Sequence, residues 1–249
     1  PQYRFDSKKF SDEGLNKTKK NRYVSNYKDV KIIHLSSSKR SFSRVKRFSQ
    51  WINYHLKSII YLIGNRKNFD TIFIFSYPPT MNLIAIFTKK ILKKKTIYSI
   101  WELYPEIAQK LNELNSKFLL NSFKKVDNFC LGSIDEVVVN SDEMKQYLID
   151  VRKINADKIT VIYHFANEKE SPKSPKITKE IMYAGNLGTP QNVESFLDLF
   201  SLSEKQYKLT IYGSGSQFDS IASRESININ VNSFISRDEL LQKTNHIPF

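Results

Sequence analysis

Short apolar runs alternate with longer amphipathic segments along most of this 249-residue chain. The short runs are typical of strands buried on both faces, and the longer segments have the three-and-four spacing of helices. Strands are predicted at 30–35, 69–76, 95–101, 135–141, 157–164, 179–185, 207–215 and 226–231, and helices at 41–64, 80–92, 116–131, 142–151, 191–200 and 236–243. Strands that alternate with helices at such spacings indicate parallel sheets.

The pattern is interrupted once, by a polar stretch that contains two prolines and no apolar period. We interpret residues 167–178 as a linker between two domains. The expected class is therefore α/β, with two Rossmann-like, doubly wound parallel-sheet domains. The first spans 1–166 and is expected to begin with a loop over 1–29. The second spans 179–249 and is expected to be incomplete.

Positive charge is concentrated in the first part of the chain. Residues 1–100 contain 22 Lys and Arg against 5 Asp and Glu, a net charge of +17, whereas the remaining residues have a net charge of −3. Such asymmetry predicts an anionic partner, which is nucleic acid, a phosphate ligand or a membrane surface. Compositional drift of the source genome explains the Lys excess equally well, but it does not explain the asymmetry.

Cysteine and histidine are too sparse for a metal centre. One Cys, Cys130, excludes a disulfide framework and a multi-Cys zinc site, and the four His are scattered. We therefore expect no metal. No segment is predicted to span a bilayer, because Pro78 and Pro79 interrupt the longest apolar stretch. The basic amphipathic helix 41–64 is compatible with a membrane surface and equally with core packing beneath a solvated basic face.

Two glycine turns follow predicted strands of the second domain, where open parallel sheets bind ligands. In AGNLGTPQN (184–192), Gly185 and Gly188 allow a sharp turn before a helix whose amide groups favour a phosphate or diphosphate. An ordinary strand–helix turn explains this segment equally well. In YGSGS (212–216), a need for positive φ and ligand contact are equally good explanations of Gly213 and Gly215.

An acidic segment, SIWELYPE (99–106), ends a predicted strand of the first domain. Glu102 is placed to orient a hydroxyl or to act as a base, and a helix-start acid is the alternative. For Glu106, which follows Pro105, the helix-start explanation is favoured.

Seven stretches over residues 69–243 together resemble the family 4 glycosyltransferases of the GT-B fold, particularly bacterial members that build surface polysaccharides. They are FDTIFIFSYPP, KKTIYSIWELYPE, DEVVVNSDEMKQYL, DKITVIYH, IMYAGNLGTPQN, LTIYGSGS and VNSFISRDEL. The resemblance implies that the first domain binds an acceptor and the second a nucleotide-sugar, most commonly UDP-linked. It also implies transfer with retention, usually without a metal and with no cofactor beyond the donor.

The resemblance also implies residue roles. The donor would be bound by Gly185, Asn186, Leu187, Gly188, Gln191, Gly213, Gly215, Phe234 and Ile235, with Glu102 catalytic on the acceptor side. Asn186 and Gln191 stand where many members have Arg and Lys, so they supply no charge to a diphosphate. The family's paired glutamates would fall after Phe249 and its opening strand before Pro1. We therefore expect a fragment that has no transferase turnover alone.

The sequence thus predicts a glycosyltransferase that acts on a lipid-linked glycan acceptor in surface polysaccharide biosynthesis. It would be cytoplasmic, peripheral on the inner face of the cytoplasmic membrane and in contact with anionic lipid, without nucleic acid. Two alternatives stay open. One is a basic, non-enzymatic nucleic-acid-binding protein, and the other is a different GT-B enzyme such as a nucleotide-sugar epimerase.

Overall fold

The computed structural model describes residues 16–17, 22–35, 44–164, 179–202 and 207–244. The chain divides into two compact units, a first unit of residues 1–163 and a second unit of residues 164–249. The predicted linker lies outside the described residues. Among the described residues, no helix is both long and apolar enough to cross a membrane.

The first unit begins with a small antiparallel sheet that the sequence did not predict. Its strands are β1 (Asn16–Lys17), β2 (Arg22–Tyr27) and β3 (Val30–Leu35), in the order β1-β2-β3. The expectation of a loop over 1–29 is therefore wrong for β1 and β2, and β3 pairs antiparallel with β2 rather than entering a parallel sheet. The reason is the two-residue turn at Lys28 and Asp29, with Lys28 at φ 50°. A tight turn of this kind brings two strands together as a hairpin.

The main sheet of the first unit has four parallel strands. They are β4 (Thr71–Phe75), β5 (Lys95–Ile100), β6 (Glu136–Val139) and β7 (Ile159–Val161), in sequential order. The helices of this unit are α1 (Arg44–Gly64), α2 (Met81–Lys90), α3 (Glu106–Lys110), α4 (Lys117–Ser133) and α5 (Asp142–Asp150). All but the short α3 were predicted.

The core of the first unit lies between one face of this sheet and its helices. The sheet contributes alternate residues, and the helices contribute their apolar faces. The buried cluster includes Ile74, Tyr98, Ile100, Val137, Val139 and Ile159 from the strands and Leu62, Ile84, Ala85, Cys130, Leu131 and Leu148 from the helices. Ser141 caps α5, because its hydroxyl accepts from the Met144 amide at 3.2 Å. Such a bond satisfies an amide that has no partner within the helix.

The second unit contains a three-stranded parallel sheet in the order β10-β9-β8. Its strands are β8 (Glu180–Asn186), β9 (Lys208–Ser214) and β10 (Ile229–Ser233), and its helices are α6 (Val193–Ser201), α7 (Phe218–Ala222) and α8 (Arg237–Thr244). A separate apolar cluster forms its core. The two parallel sheets confirm the predicted α/β class with two Rossmann-like units.

Candidate functional site

The three strands of the second sheet end side by side. Gly213 on β9 pairs with Gly185 on β8 and with Ser233 on β10. Because the strands are parallel, the turns that follow them meet at one edge of the sheet, where such sheets bind ligands. The predicted donor-binding residues of all three segments are therefore brought together.

Leu187 ties the two glycine turns to each other. Its amide donates to the Ser214 carbonyl at 3.0 Å, and its carbonyl accepts from the Gln217 amide at 2.9 Å. The Leu187 side chain is fully buried in the core of the second unit. Leu187 thus anchors the turn, and its side chain is not available to a ligand.

Gly213 and Gly215 are required by this close packing of backbone on backbone. A Cβ atom at Gly213 would lie 2.3 Å from the Gly185 carbonyl oxygen, and one at Gly215 would lie 2.2 Å from the Leu187 carbonyl oxygen. No real Cβ contact is that short, so these positions need glycine whether or not a ligand binds. Close backbone approach, rather than positive φ, is the structural reason for both residues.

Asn186 and Gln191 interact with each other across the turn. The Asn186 Nδ2 atom donates to Gln191 Oε1 at 2.9 Å, and the pair lies over Gly188, where a Cβ would be 3.0 Å from the Asn186 nitrogen. This bond occupies the acceptor atom of Gln191, whereas a phosphate would need its amino group. The two side-chain amides, which the resemblance assigns to donor binding, therefore lie next to each other.

The segment after Gly188 is a 3₁₀ turn, Thr189–Gln191, followed by Asn192 at φ 50°. The predicted helix 191–200 therefore begins later, at Val193. The reason is that Pro190 starts a tight turn and Asn192 adopts the left-handed conformation. Within the turn, the Gln191 and Asn192 amides donate to carbonyls. Among the described residues, the Gly188 and Thr189 amides have no acceptor.

The first turn of α6 already holds a negative charge. Glu194 accepts from Gln217 Nε2 at 3.0 Å and from the Ser220 hydroxyl at 2.5 Å. A carboxylate near a helix start uses the favourable end of the dipole and repels a second anion. The Gly188 and Thr189 amides are consequently better placed to receive an anion than the helix start that the sequence analysis singled out.

Tyr183 is a part of the site that sequence reasoning missed. Its hydroxyl donates to the Asn186 carbonyl at 2.9 Å, its ring lies beside Gly185, and burial raises the pKa of its hydroxyl. Tyr183 therefore fixes the end of β8. The available signal was its position two residues before Gly185, which places both on the same face of a strand.

Phe234 and Ile235 follow β10 at the same edge of the sheet. The Phe234 side chain is 71% exposed and Ile235 is half-buried. An exposed aromatic ring is suited to stack on a planar base. Both residues thus lie at the edge that carries the glycine turns, as a role beside the nucleobase requires.

Glu102 is exposed and follows β5 in the first unit. The preceding residue, Trp101, is held at the end of the neighbouring strand β4. The Trp101 amide donates to the Ser76 hydroxyl at 3.2 Å, and the Trp101 ring packs edge-on against Phe75 with 5.5 Å between the ring centroids. Glu102 therefore lies at the carboxyl edge of its own sheet. The predicted donor-binding residues belong to the second unit.

Glu106 is part of a buried ionic cluster rather than a free acid, and it stands in the first turn of α3, as the helix-start explanation predicted. The Arg152 guanidinium lies 3.0 Å from Glu106 Oε1 and donates to Asp127 Oδ2 at 2.8 Å. Arg152 also donates to the Tyr104 carbonyl at 3.2 Å, and the Tyr147 hydroxyl donates to Glu106 at 2.9 Å. The cluster thus joins α4 and α5 to the segment that follows Glu102.

Burial dominates the protonation of Asp127 in this cluster. Desolvation raises its pKa to about 6, although Arg152 and the Asn82 amide both favour the charged form. The Asn82 amide donates to the Asp127 carboxyl at 3.2 Å. Removing a carboxylate from water disfavours its charge, and here that effect exceeds the attraction of its partners. The folded protein therefore keeps a proton on Asp127 at pH values where the unfolded chain has released it.

We expect Asp127 to make the protein less stable as pH rises from about 4 to about 6, because the native state binds the extra proton in that window. The full contribution is about 3 kcal/mol, from roughly 1.4 kcal/mol per pKa unit. Urea unfolding of the unsubstituted protein and of Asp127→Asn across this pH range measures the contribution of Asp127 to the free energy of unfolding. A stability difference between the two that is constant with pH would contradict the expectation.

Comparisons with known proteins point to one family. The model of Glycosyltransferase Family 4 matches residues 12–170. Among curated proteins, no sequence matches the chain. Sucrose-phosphate synthase from Thermosynechococcus elongatus is similar in structure, with 12% identity and a TM-score of 0.66 over 95% of this chain and 61% of that one.

Two structures of Anabaena HepE are also similar. The complex with UDP-glucose shares 11% identity at a TM-score of 0.55, covering 84% of this chain and 58% of HepE. The complex with UDP and glucose shares 12% identity at a TM-score of 0.52, covering 84% and 57%. The chain thus spans about three fifths of the length of these structures, which show a shared GT-B fold. Because the family model covers most of the chain, this protein belongs to Glycosyltransferase Family 4.

Proposed function

We propose that this protein is a retaining glycosyltransferase that moves a sugar from a nucleotide-sugar, with UDP as the nucleotide, to a lipid-linked glycan acceptor. Its place is in surface polysaccharide biosynthesis, at the inner face of the cytoplasmic membrane. The edge of the second unit's sheet where the two glycine turns meet carries the proposal. There the adjacent Gly188 and Thr189 amides have no acceptor among the described residues, and they lie at the same sheet edge as the exposed ring of Phe234. The UDP-glucose complex of HepE supports a nucleotide-sugar as the donor.

In this proposal, the Gly188 and Thr189 amides bind the donor diphosphate. When the bond between the sugar and the diphosphate breaks, negative charge develops on the leaving oxygen, and fixed amide dipoles stabilise it without reorganising. Leu187 and Tyr183 hold these amides in place through the bonds to Ser214 and Asn186. Neutral Asn186 and Gln191 contribute hydrogen bonds but no charge.

The remaining roles follow from position at the carboxyl edge of each sheet. Phe234 stacks on the base, with Ile235 beside it, and Gly213 and Gly215 allow the turns to approach each other. Glu102, on the first unit, orients the acceptor hydroxyl. The acceptor oxygen forms the new bond to the anomeric carbon, and the nucleoside diphosphate leaves with the electron pair of the broken bond. The proton of the acceptor hydroxyl passes to the leaving diphosphate oxygen.

Thr189→Pro tests the diphosphate contact, because it removes one amide without adding charge. Gly188 has φ −115° and ψ 168°. This is the extended conformation that a following proline requires, and proline is favoured at the first position of such a turn. We expect the affinity for UDP to fall by about 10- to 100-fold, since a hydrogen bond to a charged group contributes about 1.5–3 kcal/mol.

The matched control is Thr189→Ala, which keeps the amide and removes only the side chain. Isothermal titration calorimetry with UDP should give wild-type affinity for Thr189→Ala and weak binding for Thr189→Pro. Equal affinities for the two variants, or no UDP binding by the unsubstituted protein, would contradict the proposed role of this turn.

A further inference from the structure

The helices of the first unit expose many apolar side chains on the side away from the core. On α1 these follow one stripe along the helix, at spacings of three and four. The stripe consists of Phe48, Ile52, Leu56, Ile60 and Ile63, which are 55%, 47%, 55%, 63% and 41% exposed. The core is contacted by other residues of α1, such as Leu62 and Ile59.

A second stripe lies on α4. Its members are Phe118, Leu119, Phe123, Val126 and Phe129, which are between 41% and 78% exposed. The other side of this helix contacts the core through Cys130 and Leu131. Helix α2 packs against both α1 and α4 and exposes Leu83. We call the exposed apolar side chains of α1, α2 and α4 the outer apolar surface.

The charged residues of these three helices are almost all basic. Helices α1, α2 and α4 contain nine Lys and Arg residues and one acid, Asp127, which is buried beside Arg152. Lys46, Lys90, Lys117 and Lys125 are exposed. Lys90 also lies 5.9 Å from the ring of Phe129, which places a cation directly at the apolar stripe of α4. Between Asp29 and Asp70 the sequence has no acidic residue.

We propose that the outer apolar surface binds an anionic lipid bilayer, with the aromatic and aliphatic side chains inserted among the headgroups and the lysines on lipid phosphates. Apolar side chains rimmed by cations are the combination that interfacial helices use, and each basic residue near such a surface strengthens binding to anionic lipid. A second copy of this chain would bring the same positive rim into contact with itself, which is unfavourable.

This inference rests on the proposed function in one respect, since it names the surface that brings the enzyme to a lipid-linked acceptor. It makes the first unit the membrane-bound part of the chain. The donor-binding turn lies in the second unit, so the two properties can be lost independently.

The test is cosedimentation of the purified chain with vesicles of phosphatidylcholine containing phosphatidylglycerol, and with vesicles of phosphatidylcholine alone. We expect binding to the anionic vesicles that weakens as salt rises. Two double variants remove apolar contact without adding charge. The first is Ile52→Ser with Ile60→Ser in α1, and the second is Phe118→Ser with Phe123→Ser in α4. Each pair should lower vesicle affinity at least about tenfold, and their combination more, because each side chain loses its burial in lipid.

The control is Leu199→Ser with Ile227→Ser in the second unit, where these residues are 68% and 99% exposed. It should bind vesicles as the unsubstituted chain does. Equal thermal melts by circular dichroism verify that the variants fold, and UDP calorimetry on the same proteins reports the donor site separately.

Three results would overturn the proposal. One is vesicle binding that the combined variant retains, and another is absence of binding to anionic vesicles. The third is a dimer of the unsubstituted chain, or a complex with oligonucleotides, that the α1 and α4 variants abolish while vesicle binding is unaffected. If the unsubstituted chain binds anionic vesicles but does not bind UDP, that result contradicts the proposed function and not the membrane-binding surface.

Discussion

Replacing Arg152 with methionine is expected to lower the free energy of unfolding of the first unit by about 3–5 kcal/mol at pH 8. The Arg152 side chain is 2% exposed and lies between Glu106 and Asp127, which are themselves largely buried. Without the guanidinium, two carboxylates are left in a desolvated site, and Lys124, 3.7 Å from Glu106, is the cation that stays beside them. Urea unfolding followed by tryptophan fluorescence measures this, because both tryptophans, Trp51 and Trp101, lie in the first unit.

The same substitution should destabilise the protein less at pH 5 than at pH 8. Burial raises the pKa of Asp127 to about 6, so at pH 5 its carboxyl is neutral and no longer needs a partner. The control is Arg224→Met in the second unit, which breaks the 2.7 Å ion pair to the well-exposed Asp198. Because that unit has no tryptophan, its unfolding is followed by far-ultraviolet circular dichroism. Loss of such a surface pair should cost at most about 1 kcal/mol. Equal losses for the two arginines would show that the buried cluster has no special importance.

Gly215→Ala is expected to disrupt the second unit and the donor turn together. The added Cβ would lie 2.2 Å from the Leu187 carbonyl oxygen and 2.4 Å from its carbonyl carbon, which are backbone atoms that have no side-chain freedom. Either the unit loses at least about 1–3 kcal/mol of stability, as overpacking costs, or the Leu187 turn moves away from Gly215. In both cases UDP affinity should fall strongly.

The measurement is amide hydrogen exchange of β9 together with UDP calorimetry, while tryptophan fluorescence monitors the first unit. Gly132→Ala is the matched control, because nothing lies within 4 Å of a Cβ at Gly132. It lies near the end of α4, where alanine is a better helix former than glycine, so it should be neutral or slightly stabilising. Normal exchange and normal UDP affinity in Gly215→Ala would contradict the described contact.

The parallel strands were predictable because they are buried on at least one face and therefore consist of continuous or alternating apolar residues. Strands β4, β6 and β9 have this composition, and they appear within a few residues of the predicted limits. Strand β2 was not predictable in this way, because its sequence RYVSNY is polar and its pairing depends on a turn without glycine. Helices α3 and α7 have only five residues each, too few for a period to be visible.

At the donor turn, sequence reasoning identified the residues but not their interactions. The glycines predicted a turn, yet the reason for Gly213 and Gly215 is contact with the Gly185 and Leu187 backbone of another strand end, which no local pattern contains. The late start of α6 depends on the left-handed conformation of Asn192. The pairing of Asn186 with Gln191 likewise depends on the path of the turn.

The ionic cluster of the first unit was missed because its members are far apart in the chain. Arg152 follows Asp127 by 25 residues and Glu106 by 46. One signal was present. Asp127 lies seven residues after Leu120 and three before Cys130, so it occupies the apolar side of α4, where an unpaired acid is unfavourable. An acid at such a position predicts a buried basic partner without identifying it.

The most direct test of the donor site is a titration of the ¹⁵N-labelled protein with UDP, followed by two-dimensional amide NMR. The chain has only seven glycines, so the Gly188 amide is readily assigned. We predict that the largest shifts on adding UDP occur at the Gly188 and Thr189 amides, with smaller ones at Gly185 and Phe234. Shifts that leave Gly188 and Thr189 unchanged, or that cluster on the first unit, would contradict the assignment of this turn as the nucleotide-sugar site.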